Sequence, residues 1–194
     1  YSQITDWVQG DARYEPKGYT HAVYNWDDLV TALEAAEQTY YTKIIQMADI
    51  TQLDNSQPRP VRDFREHCVF NGNGHRITGL THPLFSTVYG GYVYNTHLRD
   101  CRMQTFAGAI GLLAFVNLSG TITQCSATGT VEHTSYGNAG GLVGNNDGYI
   151  TRSYTDVQVK VTNASLLQNV GGLAGENKGQ IIACAAFGTV EVDE

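Results

Sequence analysis

The feature that most restricts this chain is a repetition. Residues 139–159, AGGLVGNNDGYITRSYTDVQV, are written almost again 31 residues later as 170–190, VGGLAGENKGQIIACAAFGTV. Superimposed, Gly141-Leu142 falls on Gly172-Leu173, Gly144 on Gly175, Asn146 on Asn177, Gly148 on Gly179, Ile150 on Ile181 and Val159 on Val190. A third copy over 111–131 has one extra loop residue and keeps Gly120, Ile122, Cys125 and Val131 in register with Gly148, Ile150, Ser153 and Val159. A fainter fourth uses Leu84-Phe85, Gly90-Gly91, Leu98 and Cys101. A unit this small cannot bury an apolar face alone, so it must stack on its neighbours as a solenoid.

Within each copy apolar residues alternate with small or polar ones, as in Ile122-Thr-Gln-Cys125 and Thr128-Gly-Thr-Val131. That period of two belongs to strands, not helices. Glycines at fixed offsets punctuate the strands, supplying positive φ at sharp corners and room where coils approach closely. Short strands with tight corners, stacked coil on coil, predict an all-β fold: a right-handed parallel β-helix.

The stretch G-G-L-V-G-x-N-x-G-x-I-x-x-S-Y resembles the GLUG repeat of bacterial surface and secreted proteins, over roughly residues 84–190. Val157 departs from the pattern, standing where Gly129 and Gly188 stand in other copies. The segment 70–80, FNGNGHRITGL, resembles the entry coil of pectate-lyase-like solenoids. GLUG repeats occur in adhesins and in non-catalytic parts of large secreted proteases, so the resemblance implies a scaffold at the cell surface or outside the cell.

Charged residues make up only 16% of the 194, with 21 glycines, a balance suited to a β-rich chain with many corners. The net charge is −7 and the twelve Lys and Arg are scattered, which argues against nucleic acid as a partner. No apolar run reaches membrane-spanning length, so no membrane insertion is expected. The chain begins at Tyr1 without a recognisable signal peptide, which suggests a processed product.

Residues 1–20 read as an irregular arm with Trp7 and Tyr14 as aromatic anchors, and 21–194 as a single β-helix domain. Asn25 is a helix N-cap followed by acidic residues, and Trp26, Leu29, Val30, Leu33 and Ala36 recur at helical spacing. The spacing predicts an amphipathic helix over 26–38 that covers the first coil. Residues 43–50 follow as a strand, then a polar loop over 52–60. The C-terminal coil has no comparable cover in the sequence, and an uncovered coil invites pairing.

No catalytic constellation is expected. Asp100, Asp147, Asp156 and Glu176 sit at unrelated repeat positions, whereas a glycosidase needs paired carboxylates on neighbouring coils. His67, Cys68, His75 and His82 match no common metal-ligand spacing, and Gly72-Asn-Gly74 lacks the lysine of a phosphate loop. No cofactor is expected. Cys101, Cys125 and Cys184 are read as one inward ladder of buried thiols, with a Cys101–Cys125 disulfide as the alternative and Cys184 free. Asn146 and Asn177 suggest an asparagine ladder at a corner. Asn117 and Asn163 begin N-x-S triplets that fit glycosylation. Tyr92 and Tyr94, among twelve tyrosines, are candidates for an exposed strip facing a sugar or a partner.

The sequence therefore predicts a non-enzymatic extracellular structural or adhesive solenoid, a surface or filament subunit. Its expected partners are further copies joined head to tail, or other surface proteins. The alternative is a carbohydrate-binding or polysaccharide-cleaving module of a larger secreted protein.

Overall fold

The computed structural model describes residues 18–52, 61–105, 108–134, 136–162 and 169–193. They form a parallel β-solenoid of about 5 turns with one short helix near its start. Residues 1–17, most of the arm expected from the sequence, lie outside the described set.

Three long sheets run along the solenoid, and Ala139–Gly140 pairs with Val170–Gly171 in a short fourth. The first stacks His21–Val23, Lys43–Gln46, Val69–Asn71, Tyr92–Tyr94, Thr121–Thr123, Tyr149–Thr151 and Gln180–Ile182. The second stacks Phe64–Arg65, Phe85–Tyr89, Ala114–Leu118, Val143–Asn146 and Ala174–Asn177. The third stacks Ile50–Thr51, Arg76–Thr78, His97–Thr105, Ser126–His133, Tyr154–Thr162 and Ala185–Ala186, with Val190–Asp193 also on Tyr154–Thr162. Every strand pair is parallel, because each coil returns to the start of its own path one layer on. The two full repeats keep the register read from the sequence: Ile150 pairs with Ile181 and Val159 with Val190.

The interior is built of residue columns. On the first sheet Ile44, Phe70, Val93, Ile122, Ile150 and Ile181 succeed one another coil by coil. All are fully buried up to Ile150. Phe64, Phe70 and Phe85 are fully buried in the core, with ring centroids 4.6 Å apart for Phe64 and Phe85 and 5.9 Å for Phe70 and Phe85. The helix Trp26–Gln38 lays Trp26, Leu29, Ala32, Leu33 and Ala36 against the same core. Its start is fixed by Asn25, extended at φ −151, whose Oδ1 accepts the Asp28 amide at 3.0 Å, while the Asp28 carboxylate accepts the Tyr24 amide. The N-terminal end of the column is thereby covered, as the helical spacing predicts.

Corners between the first and third sheets share one device. Asn95, Gln124, Arg152 and Ala183 occupy equivalent positions, and all four adopt left-handed backbone near φ +50. Asn tolerates that conformation best, and the others adopt it because the coil geometry leaves no alternative. The next residue is always small with a hydrogen-bonding side chain: Thr96, Cys125, Ser153 and Cys184. Each donates to the carbonyl two residues back, Thr96 to Tyr94 at 3.1 Å, Cys125 to Thr123 at 3.3 Å, Ser153 to Thr151 at 2.9 Å and Cys184 to Ile182 at 3.3 Å. This contact ties down the carbonyl that the tight corner turns away from the sheet.

Cys101 stands elsewhere, which corrects the expected three-cysteine ladder. Leu98 pairs with Ala127 but Cys101 with Gly129, so Arg99 and Asp100 together oppose Thr128 in a β-bulge. Asp100 carries the bulge at φ +50, with its amide donating to the Thr128 hydroxyl at 3.1 Å. The extra residue moves Cys101 into the column of Gly129 and Val157, away from Cys125. All four cysteines are free thiols.

Gly129 faces Cys101 so closely that an added Cβ would lie 1.9 Å from the Cys101 carbonyl oxygen, and its φ is +141. Gly79, at φ +79, has open space around it. Gly129→Ala is therefore expected to cost about 3 kcal/mol or more, lowering Tm by about 6–12 °C. Gly79→Ala should cost only the backbone strain of about 1–2 kcal/mol. Thermal unfolding of both variants separates crowding from strain, and equal losses would contradict the close approach at Gly129.

Candidate functional site: polar ladder, open coil end and a cationic face

The corners between the second and first sheets are built from asparagine and glycine. The Asn117 amide nitrogen donates to Asn146 Oδ1 at 2.7 Å, and that of Asn146 donates to Asn177 Oδ1 at 2.7 Å. Each also spans its own corner, to the carbonyls of Gly120, Gly148 and Gly179 respectively, at 3.3 Å. The neighbouring glycines form a column of their own. A Cβ at Gly148 would meet the Gly120 oxygen at 2.4 Å, and one at Gly179 would meet the Gly148 oxygen at 2.1 Å. The Asn146 and Asn177 ladder expected from the sequence is present, and it includes Asn117. That residue is fully buried with its amide committed, so it is no acceptor for a glycan in the folded chain. The second triplet, at Asn163, lies outside the described residues.

The ladder has a direction. At its first rung Asn117 pairs with Val88, which offers no donor, and Asn117 Oδ1 is buried without a partner. At its last rung Asn177 is exposed, and its amide nitrogen makes only the bond to Gly179 among the described residues. The apolar columns end at the same place. Ile181 is 38% exposed and Val190 46%, where Ile150 and Val159 one coil earlier are fully buried. Val192 is 50% exposed above buried Val161, and Ile182 and Phe187 are exposed beside them. Among the described residues, a helix packs on the first coils, and the last coil presents hydrogen-bonding edges with an apolar floor.

The remaining expected site residues are dispersed. His67 stacks on Tyr41, Cys68 is buried with its thiol toward the Thr39 carbonyl, His75 meets Asp49 at 3.3 Å and His82 is exposed on another turn. Among the described residues no group of three or more His, Cys, Asp or Glu side chains is arranged to hold a metal ion. Tyr92 and Tyr94 face outward on the first sheet with ring centroids 5.2 Å apart. They are half-buried, and the Tyr94 hydroxyl is held by Tyr19 at 2.7 Å. Thr121 separates Tyr92 from Tyr149 along the row, so the tyrosines form no continuous strip there.

A different group gathers on the third sheet. Arg76, His97, Ser126 and Tyr154 form one outward row across four coils. Ser126 Oγ lies 2.8 Å from His97 Nδ1 and accepts from Arg99 Nη1 at 2.9 Å. His97 Nε2 lies 3.3 Å from Asn95 Oδ1, which assigns the ring proton to Nε2 and leaves Nδ1 to accept the Ser126 hydroxyl. Burial, then the charges of Arg99 and Arg76, hold His97 below the ordinary histidine range. The nearby Ser126 hydroxyl, and after it the two guanidinium charges, lower the Tyr154 phenol. Ser126 is fully covered by these partners, so its hydroxyl acts as a hub and not as a nucleophile. Sequence reading passed over this group because its members lie on separate coils.

The geometry defines the class: a parallel β-solenoid module with a short helix on its first coils. No family model matches the sequence, and no curated protein matches it. Among solved structures the chain is similar to one named IgA1 Protease, at 19% identity and a TM-score of 0.71, over 91% of this chain and 14% of that one. It is also similar to a Bacteroides ovatus protein that carries the provisional description immunoglobulin A1 protease, at 16% identity and a TM-score of 0.63. That match covers 88% of this chain and 67% of the other. At these identities the likeness is one of fold. This chain spans about a seventh of the first neighbour's length. Among the described residues no helix is long and apolar enough to cross a membrane.

Two measurements test the interior. Asn146→Ala removes the middle rung and strands the buried Asn117 amide and Gly148 carbonyl, an expected cost of about 2–4 kcal/mol, whereas Asn177→Ala at the exposed rung should cost less than about 1 kcal/mol. Burial pushes the Cys125 thiol up to about 12 and Cys101 up to about 11, so neither forms appreciable thiolate at pH 8. Alkylation of the native chain at that pH should label half-exposed Cys184 alone, and denaturant should release Cys68, Cys101 and Cys125. Rapid native labelling of Cys125 would contradict its place in the core.

Proposed function

We propose that this chain is a non-enzymatic, extracellular structural and adhesive β-solenoid of GLUG-repeat type, a surface or filament subunit that associates end to end through its open coil. The observation that carries this reading is the exposed apolar floor of the last described coil. Ile181, Val190 and Val192 cap columns that are otherwise fully buried, and the Asn177 amide extends a ladder beyond its last rung. Surface of this kind matches another coil better than it matches water, since a further coil would both bury the apolar floor and pair the strand edges. Head-to-tail contacts that do not close generate filaments. The occupant proposed is the N-terminal region of a second copy, which keeps all strands parallel across the junction.

A second reading is favoured by the length comparison. The first structural neighbour is a far longer chain, of which the match covers 14%. In a similarly long protein the same open coil would be covered by the next coil of its own chain, and the module would serve as a scaffold for functions elsewhere.

Sedimentation velocity over a wide concentration range, with negative-stain microscopy of the most concentrated sample, tests the first reading. Concentration-dependent rods growing in steps of one solenoid length are expected. The double substitution Ile181→Lys with Val192→Lys should abolish that growth while the far-ultraviolet spectrum stays that of a β-protein. A wild-type chain that stays monomeric throughout would sink end-to-end association and leave the scaffold reading.

A further inference from the structure

We propose that His97 is a proton-sensitive joint between two coils. When its ring takes up a proton from solvent, the hydrogen bonds that meet at Ser126 on the next coil can no longer all be made, and the solenoid loses stability at that junction. The joint does not depend on end-to-end association.

The first support is the count of hydrogens around one oxygen. Ser126 Oγ has a single hydrogen to give, and it lies 2.8 Å from His97 Nδ1 and 2.9 Å from Arg99 Nη1. A guanidinium only donates, so Oγ accepts from Arg99 and the serine hydrogen is left for His97 Nδ1. That contact exists only while Nδ1 keeps its lone pair. The other ring nitrogen, Nε2, lies 3.3 Å from Asn95 Oδ1, which accepts its hydrogen. The ring is therefore held as one neutral tautomer, with partners on both sides matched to that form.

Protonation at Nδ1 breaks the match. Two cationic groups would then point hydrogens at one hydroxyl oxygen, and the serine hydrogen would lose the acceptor it has now. Ser126 is fully buried, so the stranded hydrogen is not handed to bulk water. The contact joins separate coils, since Ser126 is the strand partner of His97. What is lost is a tie between His97–Thr105 and Ser126–His133.

The surroundings offer the imidazolium no compensation. Arg76 is its strand partner on the preceding coil, and Arg99 stands two residues along its own strand. Ser126 faces it from the following coil, with Tyr154 one coil further. Both hydrogen-bond partners of the ring, Ser126 and Asn95, are neutral. The carboxylates of these elements are placed elsewhere: Asp49 accepts the Arg76 amide at 2.9 Å, Asp100 lies in the bulge opposite Thr128, and Asp156 is the partner of Thr128 on the other side. Glu132 lies at the far end of its strand, opposite Gln104. A proton on His97 would thus sit between two guanidiniums without a counter-charge bonded to it.

Burial and these two cations hold the folded ring below the ordinary histidine value of 6.5. The unfolded chain then takes up the proton first as pH falls. The contribution of the joint is complete above 6.5 and is lost between 6.5 and the lower folded value.

Thermal unfolding of the full chain at pH 7.5 and pH 5.5, wild type against His97→Gln, tests the joint. Glutamine stays neutral at both and keeps an amide that can meet Ser126. On acidification the wild-type Tm is expected to fall by at least about 3 °C more than that of the variant. Fully buried His133 and the other histidines are common to both chains, so the difference isolates His97. A nuclear magnetic resonance titration of the wild-type ring, which needs no variant, should show His97 taking up its proton below pH 6.5. The proposal is overturned if both chains lose the same Tm on acidification, or if the wild-type ring titrates at 6.5 or above.

Discussion

Everything in this molecule depends on how closely one coil can approach the next. Parallel strands must stack about 4.8 Å apart for their ladder hydrogen bonds to form, and at a corner that distance leaves no room for a side chain pointing along the stack. The glycine column through Gly120, Gly148 and Gly179 is the consequence, as is Gly129 against the Cys101 carbonyl. Where glycine is absent the backbone yields instead. Gln124, Arg152 and Ala183 accept left-handed conformations because the continuous sheets on either side hold them there.

Close stacking also decides what polar groups may lie inside. A corner frees carbonyls from the ladder, and the chain answers them with side chains that repeat from coil to coil. The asparagine amides bond across their own turn and onto the next coil, and Thr96, Cys125, Ser153 and Cys184 answer the carbonyl behind them. Cysteine thus serves here as a small donor interchangeable with serine and threonine, not as half of a crosslink. Such columns satisfy themselves only while there is another coil to pair with. Asn117 Oδ1 over Val88 and the Asn177 amide beyond the last rung mark the two places where the pattern stops.

The first and last described coils therefore differ in physical character. The helix Trp26–Gln38 buries its apolar stripe on the first coils, whereas Ile181, Val190 and Val192 leave theirs half-exposed. The outward faces are a separate surface, set by side chains that alternate away from the core. On the third sheet this places two arginines, a histidine and a tyrosine around one buried serine hydroxyl, with no demand from the fold that they be there.

Much of this was legible in the sequence. The 31-residue recurrence, the period of two and the glycine offsets lead to a parallel solenoid, and the Asn25 cap with its helical spacing marks the covering helix. These features are local or periodic, so they survive in one dimension. Register across the fainter copies did not. One extra residue at Asp100 shifts Cys101 out of the cysteine column, and a bulge is a property of two paired strands that neither strand announces alone. Asn117 begins a glycosylation triplet by sequence and is a buried rung by structure, because burial depends on which coil lies above. The group around Ser126 was decided by tertiary structure alone: Arg76, His97, Arg99 and Tyr154 become neighbours only when coils stack and their outward rows align. Periodicity sets the path of the backbone, whereas contacts between non-equivalent side chains on different coils are set by register, which exists only once the coils have closed on one another.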